Sequence, residues 1–269
     1  MPGFRHILFP VDFSERCATV RPFLRHLANK SKAKVTLLHA FEETHSLCGG
    51  SEGAFAAVFD AAQMEEESCS MLADFFPPEP GDTFEIVKRA SCGDPAEAIV
   101  SFARTNGVDL IMLPTRGHGI FHRLLLGSVT THILENAPCA VWTAAHTEDP
   151  AMPSHANCRT IVLAVNGTAE EARIIRRAAE VCETFSEKLL LVHSLKDSTQ
   201  PRAAHAQIEE LQQAANTNLE VFIEPGDPVE SIPRFAAQQN ADLLILGPGA
   251  LRAKAQEIIR HAHCPVLSL

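Results

Sequence analysis

Residues 108–130 read VDLIMLPTRGHGIFHRLLLGSVT, and the fold of the chain can be worked out from this stretch. Its first six residues form an apolar run typical of a buried parallel strand, and Gly127-Ser128 begins a predicted helix. Glycines at such a strand-to-helix crossover let backbone N–H groups converge, and a helix N-terminus adds partial positive charge, so the pattern suits a phosphate. An ordinary turn followed by a capped helix fits the same residues. The pattern indicates an α/β crossover and leaves its function to the rest of the chain.

Composition sets limits on what the protein can be. With 269 residues and 46% hydrophobic content, the chain can form one large domain or two ordinary ones. The 23 basic and 33 acidic residues give a formal charge of -10, which argues against binding to nucleic acid or to an anionic membrane. Eight scattered cysteines, no secretory segment and no apolar run of membrane-spanning length predict a cytoplasmic protein with reduced thiols.

The first half alternates strand-like and helix-like runs. This order predicts parallel strands joined by helical crossovers. We expect strands at 5–12, 34–40, 83–89, 108–113 and 139–143, and helices after the N-cap Ser14 and at 54–76, 96–105 and 128–136.

The second half repeats the first. Residues 159–166 copy 5–12 at an offset of 154, residues 226–230 and 241–247 copy 93–97 and 108–114 at an offset of 133, and Cys264 copies Cys139 at an offset of 125. Eight residues are thus missing from the second copy after its fourth strand, where the first copy has the loop. The second copy has therefore lost the glycine-rich loop, and Asn166 stands where the first copy has Asp12. We expect domains at 1–146 and 159–269 joined by a linker at 147–158, with a ligand site in the first domain and a structural role for the second.

Three motifs carry a family resemblance. Pro10-Val11-Asp12-Phe13-Ser14, Gly93-Asp94-Pro95, and Gly117 separated by nine residues from Gly127-Ser128 resemble a universal stress protein domain, and the whole chain resembles a tandem pair. The resemblance implies an α/β fold with a doubly wound, five-stranded parallel sheet in each domain, Rossmann-like and similar to the adenine nucleotide alpha hydrolases. In one branch of the family it also implies binding of ATP, or of AMP or ADP. The first glycine of the family's Gly-x2-Gly-x9-Gly-Ser loop is Pro114 here, which fixes φ and lacks an N–H.

The resemblance assigns a nucleotide site to the first domain. Asp12 would accept hydrogen bonds from the nucleoside or help to hold Mg²⁺, although a helix-capping role for this aspartate is the alternative. The backbone of Ala40 would meet the adenine, and the loop with the following helix would hold the phosphates. Arg116, His118 and Arg123 could neutralise the phosphate charge, but they also fit solvated loop positions, and this second interpretation is favoured for His122 and Arg123. The predicted nucleotide-binding residues are Pro10, Val11, Asp12, Ala40, Leu113, Pro114, Thr115, Arg116, Gly117, His118, Gly119, Gly127, Ser128, Val129 and Thr130.

Other candidate groups favour structural interpretations. His39 and His193 occupy equivalent places in both copies, including the copy without the loop, so we expect a structural role for each. The run His261-Ala262-His263-Cys264 spans a helix end and a strand start, and it does not supply the four converging ligands of a zinc site. No base or nucleophile beyond Asp12 lies near the loop, so we assign no catalytic residue and expect binding with at most slow ATP hydrolysis.

Three functions compete on this basis. The first is a nucleotide-binding stress or regulatory protein, the second is an interaction scaffold whose loop is vestigial, and the third is an enzyme such as an adenylyl transferase. We rank the enzyme last because its histidine motif belongs after the first strand, whereas His118 and His122 follow the fourth. Pairing of the end strands at 139–143 and 264–269 would cover two exposed edges, so we expect an intramolecular pseudo-dimer and leave a further homodimer open.

Overall fold

The structure, a computed structural model, describes residues 3–41, 61–114, 126–144, 159–185, 188–196 and 201–269. Strands and helices alternate along both halves. The strands are β1 (His6–Pro10), β2 (Lys34–Phe41), β3 (Ile86–Cys92), β4 (Leu110–Leu113), β5 (Ala140–Thr143), β6 (Thr160–Val165), β7 (Lys188–Leu195), β8 (Glu220–Pro225), β9 (Leu243–Leu246) and β10 (Val266–Ser268). The helices are α1 (Glu15–Ser31), α2 (Ala61–Phe75), α3 (Pro95–Thr105), α4 (Ser128–Asn136), α5 (Glu171–Phe185), α6 (Pro201–Ala215), α7 (Pro228–Gln238), α8 (Ala250–Ala253) and α9 (Ala255–His261).

One ten-stranded sheet joins the two halves. Its strand order is β3-β2-β1-β4-β5-β10-β9-β6-β7-β8, and each half has the same doubly wound order. The only antiparallel pair among the described strands is β5 with β10, where Trp142 pairs with Leu267 and Thr143 with Val266. The predicted fold class and the predicted pairing of the two end strands are both confirmed.

The central strands are buried on both faces of the sheet. All four residues of β4 are buried, as are all four of β9. Two layers of apolar side chains cover the sheet, one on each face. A parallel strand with both faces covered has a continuous apolar sequence, which is why the short runs 110–113 and 243–246 contain no polar residue. None of the described helices is long and apolar enough to cross a membrane.

A matched pair of aspartates fixes the start of the first strand in each half. Asp109 accepts hydrogen bonds from the backbone N–H groups of Arg5, at 2.9 Å, and of His6, at 3.0 Å. Asp242 accepts from the N–H groups of Arg159, at 2.7 Å, and Thr160, at 2.9 Å. These four contacts lie at the amino ends of the strands, opposite the edge where a doubly wound fold binds ligands. The two aspartates are thus structural, and they show that the halves are copies in space as well as in sequence.

The third strand differs from its predicted position. It runs from Ile86 to Cys92 rather than from 83 to 89. The N–H of Thr83 donates to Asn29 Oδ1 at 2.8 Å, and Asp82 forms an ion pair with Arg25, so this segment is held against α1 before the strand begins. At its other end β3 pairs with β2 as far as Cys92. The predicted helix 54–76 is α2 in its described part, and residues 54–60 lie outside the described residues.

Candidate functional site

A cavity of about 130 Å³ lies at the carboxyl ends of β1, β2 and β4. This volume is well above the roughly 10–15 Å³ that a single water molecule requires. The structure brings together nine of the residues predicted for the site, namely Pro10, Val11, Asp12, Ala40, Leu113, Pro114, Gly127, Val129 and Thr130. Five further residues line the cavity and were not predicted for the site, namely Cys17, Leu38, His39, Pro95 and Ile99.

Asp12 is placed by the turn that connects β1 to α1. Its Oδ1 accepts a hydrogen bond from the N–H of Ser14 at 3.0 Å, which closes a tight turn directly after the strand. The hydroxyl of Ser14 accepts from the N–H of Cys17 at 3.3 Å, so Ser14 is the N-cap of α1, as predicted. The helix-capping alternative for Asp12 is therefore wrong, because Ser14 has that role. The carboxylate of Asp12 is exposed at the cavity wall.

Phe13 has a left-handed backbone, with φ of 58°. This conformation is uncommon outside glycine and asparagine, and it requires support from the surroundings. The Phe13 ring packs on His39, with centroids 4.7 Å apart, and on Phe75, with centroids 5.8 Å apart. These contacts stabilise the turn that holds Asp12 at the cavity.

His39 has both a structural position and a place in the cavity wall. Its Nδ1 hydrogen-bonds the carbonyl of Val11 at 2.8 Å, and His193 makes the same bond to Val165 at 2.9 Å. The shared contact bears out the structural role expected for both histidines. That His39 also lines the cavity was not predicted, because a histidine at the equivalent place in the second copy favoured a purely structural role.

The N-terminus of α4 forms another part of the cavity wall. Gly127 is its N-cap and makes no side-chain capping bond, whereas the side chains of Ser14, Asp94 and Asp227 cap α1, α3 and α7. Val129 and Thr130 line the cavity, and Ser128 is exposed beside it. A helix N-terminus carries partial positive charge and N–H groups without helical partners. The wall is therefore suited to an anionic or hydrogen-bond-accepting group.

The glycine-rich part of the predicted site is not covered by the structure. Thr115, Arg116, Gly117, His118 and Gly119 lie outside the described residues, as do His122 and Arg123. Pro114, the last described residue before this gap, lines the cavity. Its ring occupies a position where the sequence motif has a glycine, and it offers no N–H to a ligand.

Cys17 contributes an inert thiol to the cavity. Its side chain is fully buried, and burial, with the nearby Asp12 carboxylate adding to the effect, raises the pKa of the thiol to about 12. The Sγ donates to the carbonyl of Pro10 at 3.7 Å. Since the thiolate is the nucleophilic form, a thiol in this state does not act as a nucleophile at neutral pH.

In the second half, a carboxylate occupies the corresponding place. The offset of 154 that relates Asp12 to Asn166 relates Cys17 to Glu171, which is fully buried. The Glu171 carboxylate accepts hydrogen bonds from the N–H groups of Asn166, at 2.9 Å, and of Thr168, at 2.9 Å. A side chain at Gly247, the counterpart of Pro114, would place its Cβ 2.7 Å from Glu171 Oε1. The second half thus fills its strand-end site with its own side chain.

Comparison with known proteins extends the similarity to the whole chain. The model of the Universal stress protein family matches residues 3–144 and again residues 157–269. The chain is 25% identical over 146 residues to universal stress protein MJ0577 of Methanocaldococcus jannaschii, a match that covers 50% of this chain and 90% of that protein. It is 28% identical over 138 residues to a universal stress protein of Thermus aquaticus, covering 51% of this chain and 96% of that protein. Among solved structures, a universal stress protein from Archaeoglobus fulgidus matches with a TM-score of 0.71 at 19% identity, covering 100% of this chain and 97% of the other.

Proposed function

The chain belongs to the universal stress protein family, in tandem form, and we propose that it binds one adenine nucleotide, ATP or AMP or ADP, in its N-terminal half. In this proposal the nucleotide-bound protein acts in stress response or regulation, and the C-terminal half is structural. The observation that carries the proposal is a cavity bounded by the end of β1 and the N-terminus of α4, in the half that retains the Gly-x9-Gly-Ser motif.

The chemistry of the cavity wall suits the parts of a nucleotide. Leu38, Ile99 and Leu113 provide apolar surface for a flat base. The exposed carboxylate of Asp12 is an acceptor for ribose hydroxyls, and such charge-assisted hydrogen bonds are roughly twice as strong as neutral ones. The N-terminus of α4, with N–H groups that lack helical partners, supports the proposal that the phosphates bind there. The faces of a flat aromatic base, the hydroxyls of a sugar and an anionic group thus each have a suitable part of the cavity wall.

A divalent metal ion is proposed to bind at this site only together with the nucleotide. Asp12 is the one carboxylate among the described cavity residues, and the described residues contain no cluster of three or more metal-ligating side chains. Mg²⁺ is commonly held by one or two carboxylates together with substrate phosphates. Asp12 would therefore supply one oxygen to a Mg²⁺ that arrives bound to the phosphates.

The site of action is proposed to be the cytoplasm. Cys17, Cys69 and Cys139 form no disulfide, which is the usual state of thiols in a reducing compartment. Separately, the acidic composition gives the protein no general attraction to nucleic acid or to anionic membranes.

Two measurements test nucleotide binding. The purified chain is denatured and the released small molecules are identified by mass spectrometry, and calorimetric titration then gives the affinity of the ligand-free chain for ATP and AMP. The matched variant is Asp12→Asn, which retains Oδ1 for the Ser14 N–H and removes the charge. We expect about tenfold weaker binding, because a charge-assisted hydrogen bond contributes about 1.5–3 kcal/mol. A wild-type chain with no bound nucleotide and no binding heat would refute the proposal.

A second function has one observation in its favour. Pro114 stands at the cavity where the family's loop has a glycine, and it withholds an N–H from any ligand there. This favours an interaction scaffold with a vestigial loop. The variant Gly127→Glu separates the two functions, because it blocks the N-terminus of α4 with a carboxylate. A nucleotide-binding protein would lose affinity, whereas a scaffold would keep both its assembly and its cellular function.

A further inference from the structure

The residue that replaces the loop glycine in the second half contacts the first half. The offset of 125 that relates Cys139 to Cys264 places Arg252 at the position of Gly127. Its guanidinium Nη2 donates a hydrogen bond to the carbonyl of Ala137 at 2.7 Å. Ala137 is the C-cap of α4, the helix whose N-terminus lines the cavity. A side chain from the degenerate copy thus holds the far end of the helix that bounds the intact site.

Helix α4 depends on such contacts for its position. It has nine residues, and helices this short are not stable on their own in water. Ile133 and Leu134 bury its C-terminal part in the core, whereas its first turn has no side-chain cap. A cation at a helix C-terminus is favourable because it opposes the negative end of the helix dipole. Arg252 therefore adds both a hydrogen bond and a charge at the end of α4 away from the cavity.

A second contact between the halves supplies a natural control. Gln256 Nε2 donates to Glu135 Oε1 at 2.8 Å, between the exposed sides of α9 and α4. This bond joins side chains only and leaves the backbone at the end of α4 untouched. Because Glu135 lies in the last turn of α4, this bond joins the halves at the same end of the helix as Arg252, but it brings neither a charge nor a donor to the terminal carbonyl groups.

We propose that Arg252 is a positioning residue for the nucleotide site: from the second half it fixes the C-terminal end of α4, and through this helix the direction in which its N-terminal turn faces the cavity. The inference rests on the proposed nucleotide binding. Under this proposal the second half contributes to the nucleotide site of the first half. Arg252, at the position of the loop glycine Gly127, then has a structural role in that site.

The test compares Arg252→Met, Arg252→Lys and Gln256→Ala in the full chain. Methionine keeps the apolar stem of the side chain and removes the charge and the donor, so the variant retains its packing. Calorimetric titration with ATP gives the affinity, and hydrogen exchange followed by mass spectrometry on the ligand-free protein reports on α4. For Arg252→Met we expect about three- to tenfold weaker ATP binding, because both a helix-terminal cation and a charge-assisted hydrogen bond are lost, together with faster exchange in residues 128–136.

The other two variants decide how the result is read. Arg252→Lys restores most of the affinity, since a cation remains at the helix end, and Gln256→Ala binds ATP within about twofold of the wild type. Equal affinity of Arg252→Met and wild type, or an equal loss in Gln256→Ala, would overturn the inference. If the wild-type chain binds no nucleotide, the proposed function has failed, and the exchange data still decide on Arg252, because unchanged exchange in α4 refutes its positioning role.

Discussion

The carboxyl edge of the sheet holds a cavity in the N-terminal half and a buried glutamate in the C-terminal half. The same strands, turns and helices build both edges, since the end of β1 and the end of β6 each carry the same histidine contact. The difference comes from single residues. Glu171 stands at the position of the cavity residue Cys17, and the Glu171 carboxylate accepts hydrogen bonds from the backbone N–H groups that follow β6.

Further replacements tie the second edge together. Ser194, the counterpart of Ala40, donates to the carbonyl of Gly226 at 2.9 Å and lies 2.8 Å from the hydroxyl of Ser231. Lys254, the counterpart of Val129, lies 3.3 Å from the carboxylate of Asp227. Polar side chains in the second half thus bind one another where the first half presents small or apolar ones. After a duplication, a ligand site can thus be lost without a change of fold when the side chains around it form hydrogen bonds and ion pairs with one another.

The strongest test of this comparison removes the buried carboxylate. Glu171→Ala leaves the N–H groups of Asn166 and Thr168 without their acceptor and opens a cavity in the core. We expect the free energy of unfolding to fall by about 2–4 kcal/mol, because a buried N–H group that loses its acceptor costs about 1–3 kcal/mol and the deleted side chain leaves a cavity. Urea unfolding at neutral pH measures the change.

The matched variant in the first half is Cys17→Ala. The thiol donates weakly to the carbonyl of Pro10 and is a small apolar group, so its loss should lower the free energy of unfolding by only about 1 kcal/mol. Equal losses in Glu171→Ala and Cys17→Ala would contradict the view that Glu171 holds the second edge together.

A smaller effect is expected from the glycine that makes room for Glu171. A methyl group at Gly247 would lie 2.7 Å from Glu171 Oε1 and 3.1 Å from the carbonyl of Ala164, so the carboxylate has to move. We expect Gly247→Ala to lower the free energy of unfolding by about 1–3 kcal/mol, as overpacking usually does. In the double variant Glu171→Ala with Gly247→Ala, much of this loss should disappear, giving a coupling of about 1 kcal/mol in a double-mutant cycle measured by urea unfolding. Additive losses would show that the two residues do not share the space.

The repeat made most of the architecture predictable from the sequence. The offsets placed the strands of the second half, and the alternation of apolar runs and helices predicted the parallel sheet and the pairing of β5 with β10. The role of Glu171 was missed, although the sequence contained a signal for it. Glu171, Ile175, Ala178 and Cys182 follow helical spacing, so the glutamate falls on the buried stripe of α5, where an acidic residue needs a buried partner.

Other features could not have been predicted. The start of β3 depends on the Asp82 and Thr83 contacts with α1, which are distant in sequence and carry no local pattern. The contact of Arg252 with Ala137 crosses 115 residues and depends on how the two halves pack. The order of the strands determines where in the fold a site lies. Side-chain contacts between elements distant in sequence determine the shape and the chemistry of the cavity wall.

The smallest expected effect concerns the aspartates that cap α3 and α7. Asp94 and Asp227 both accept from a backbone N–H in the first turn, but Asp227 also lies 2.9 Å from Lys196 Nζ and 3.3 Å from Lys254 Nζ. The bond from the Val229 N–H, followed by the two lysines, lowers the pKa of Asp227 from 3.8 to about 2. A carboxyl group whose pKa is lower in the folded state than in the unfolded state stabilises the fold at pH values above the pKa of the unfolded state. Its contribution is therefore complete above about pH 4 and is lost as the pH falls toward 2.

Replacing Lys254 by the residue of the first half tests this point. In Lys254→Val one of the two lysines is removed, so the pKa of Asp227 should rise toward 3.8 but stay below it, because the Val229 N–H and Lys196 remain. Carboxyl NMR titration between about pH 1.5 and 6 measures the shift, a range that brackets both values. Stability at neutral pH should change little, since the Asp227 side chain is 41% exposed and exposed ion pairs contribute little. An unchanged Asp227 titration would mean that Lys254 does not take part in closing the second edge, and would leave Glu171 and the serine pair as the groups that distinguish the two halves.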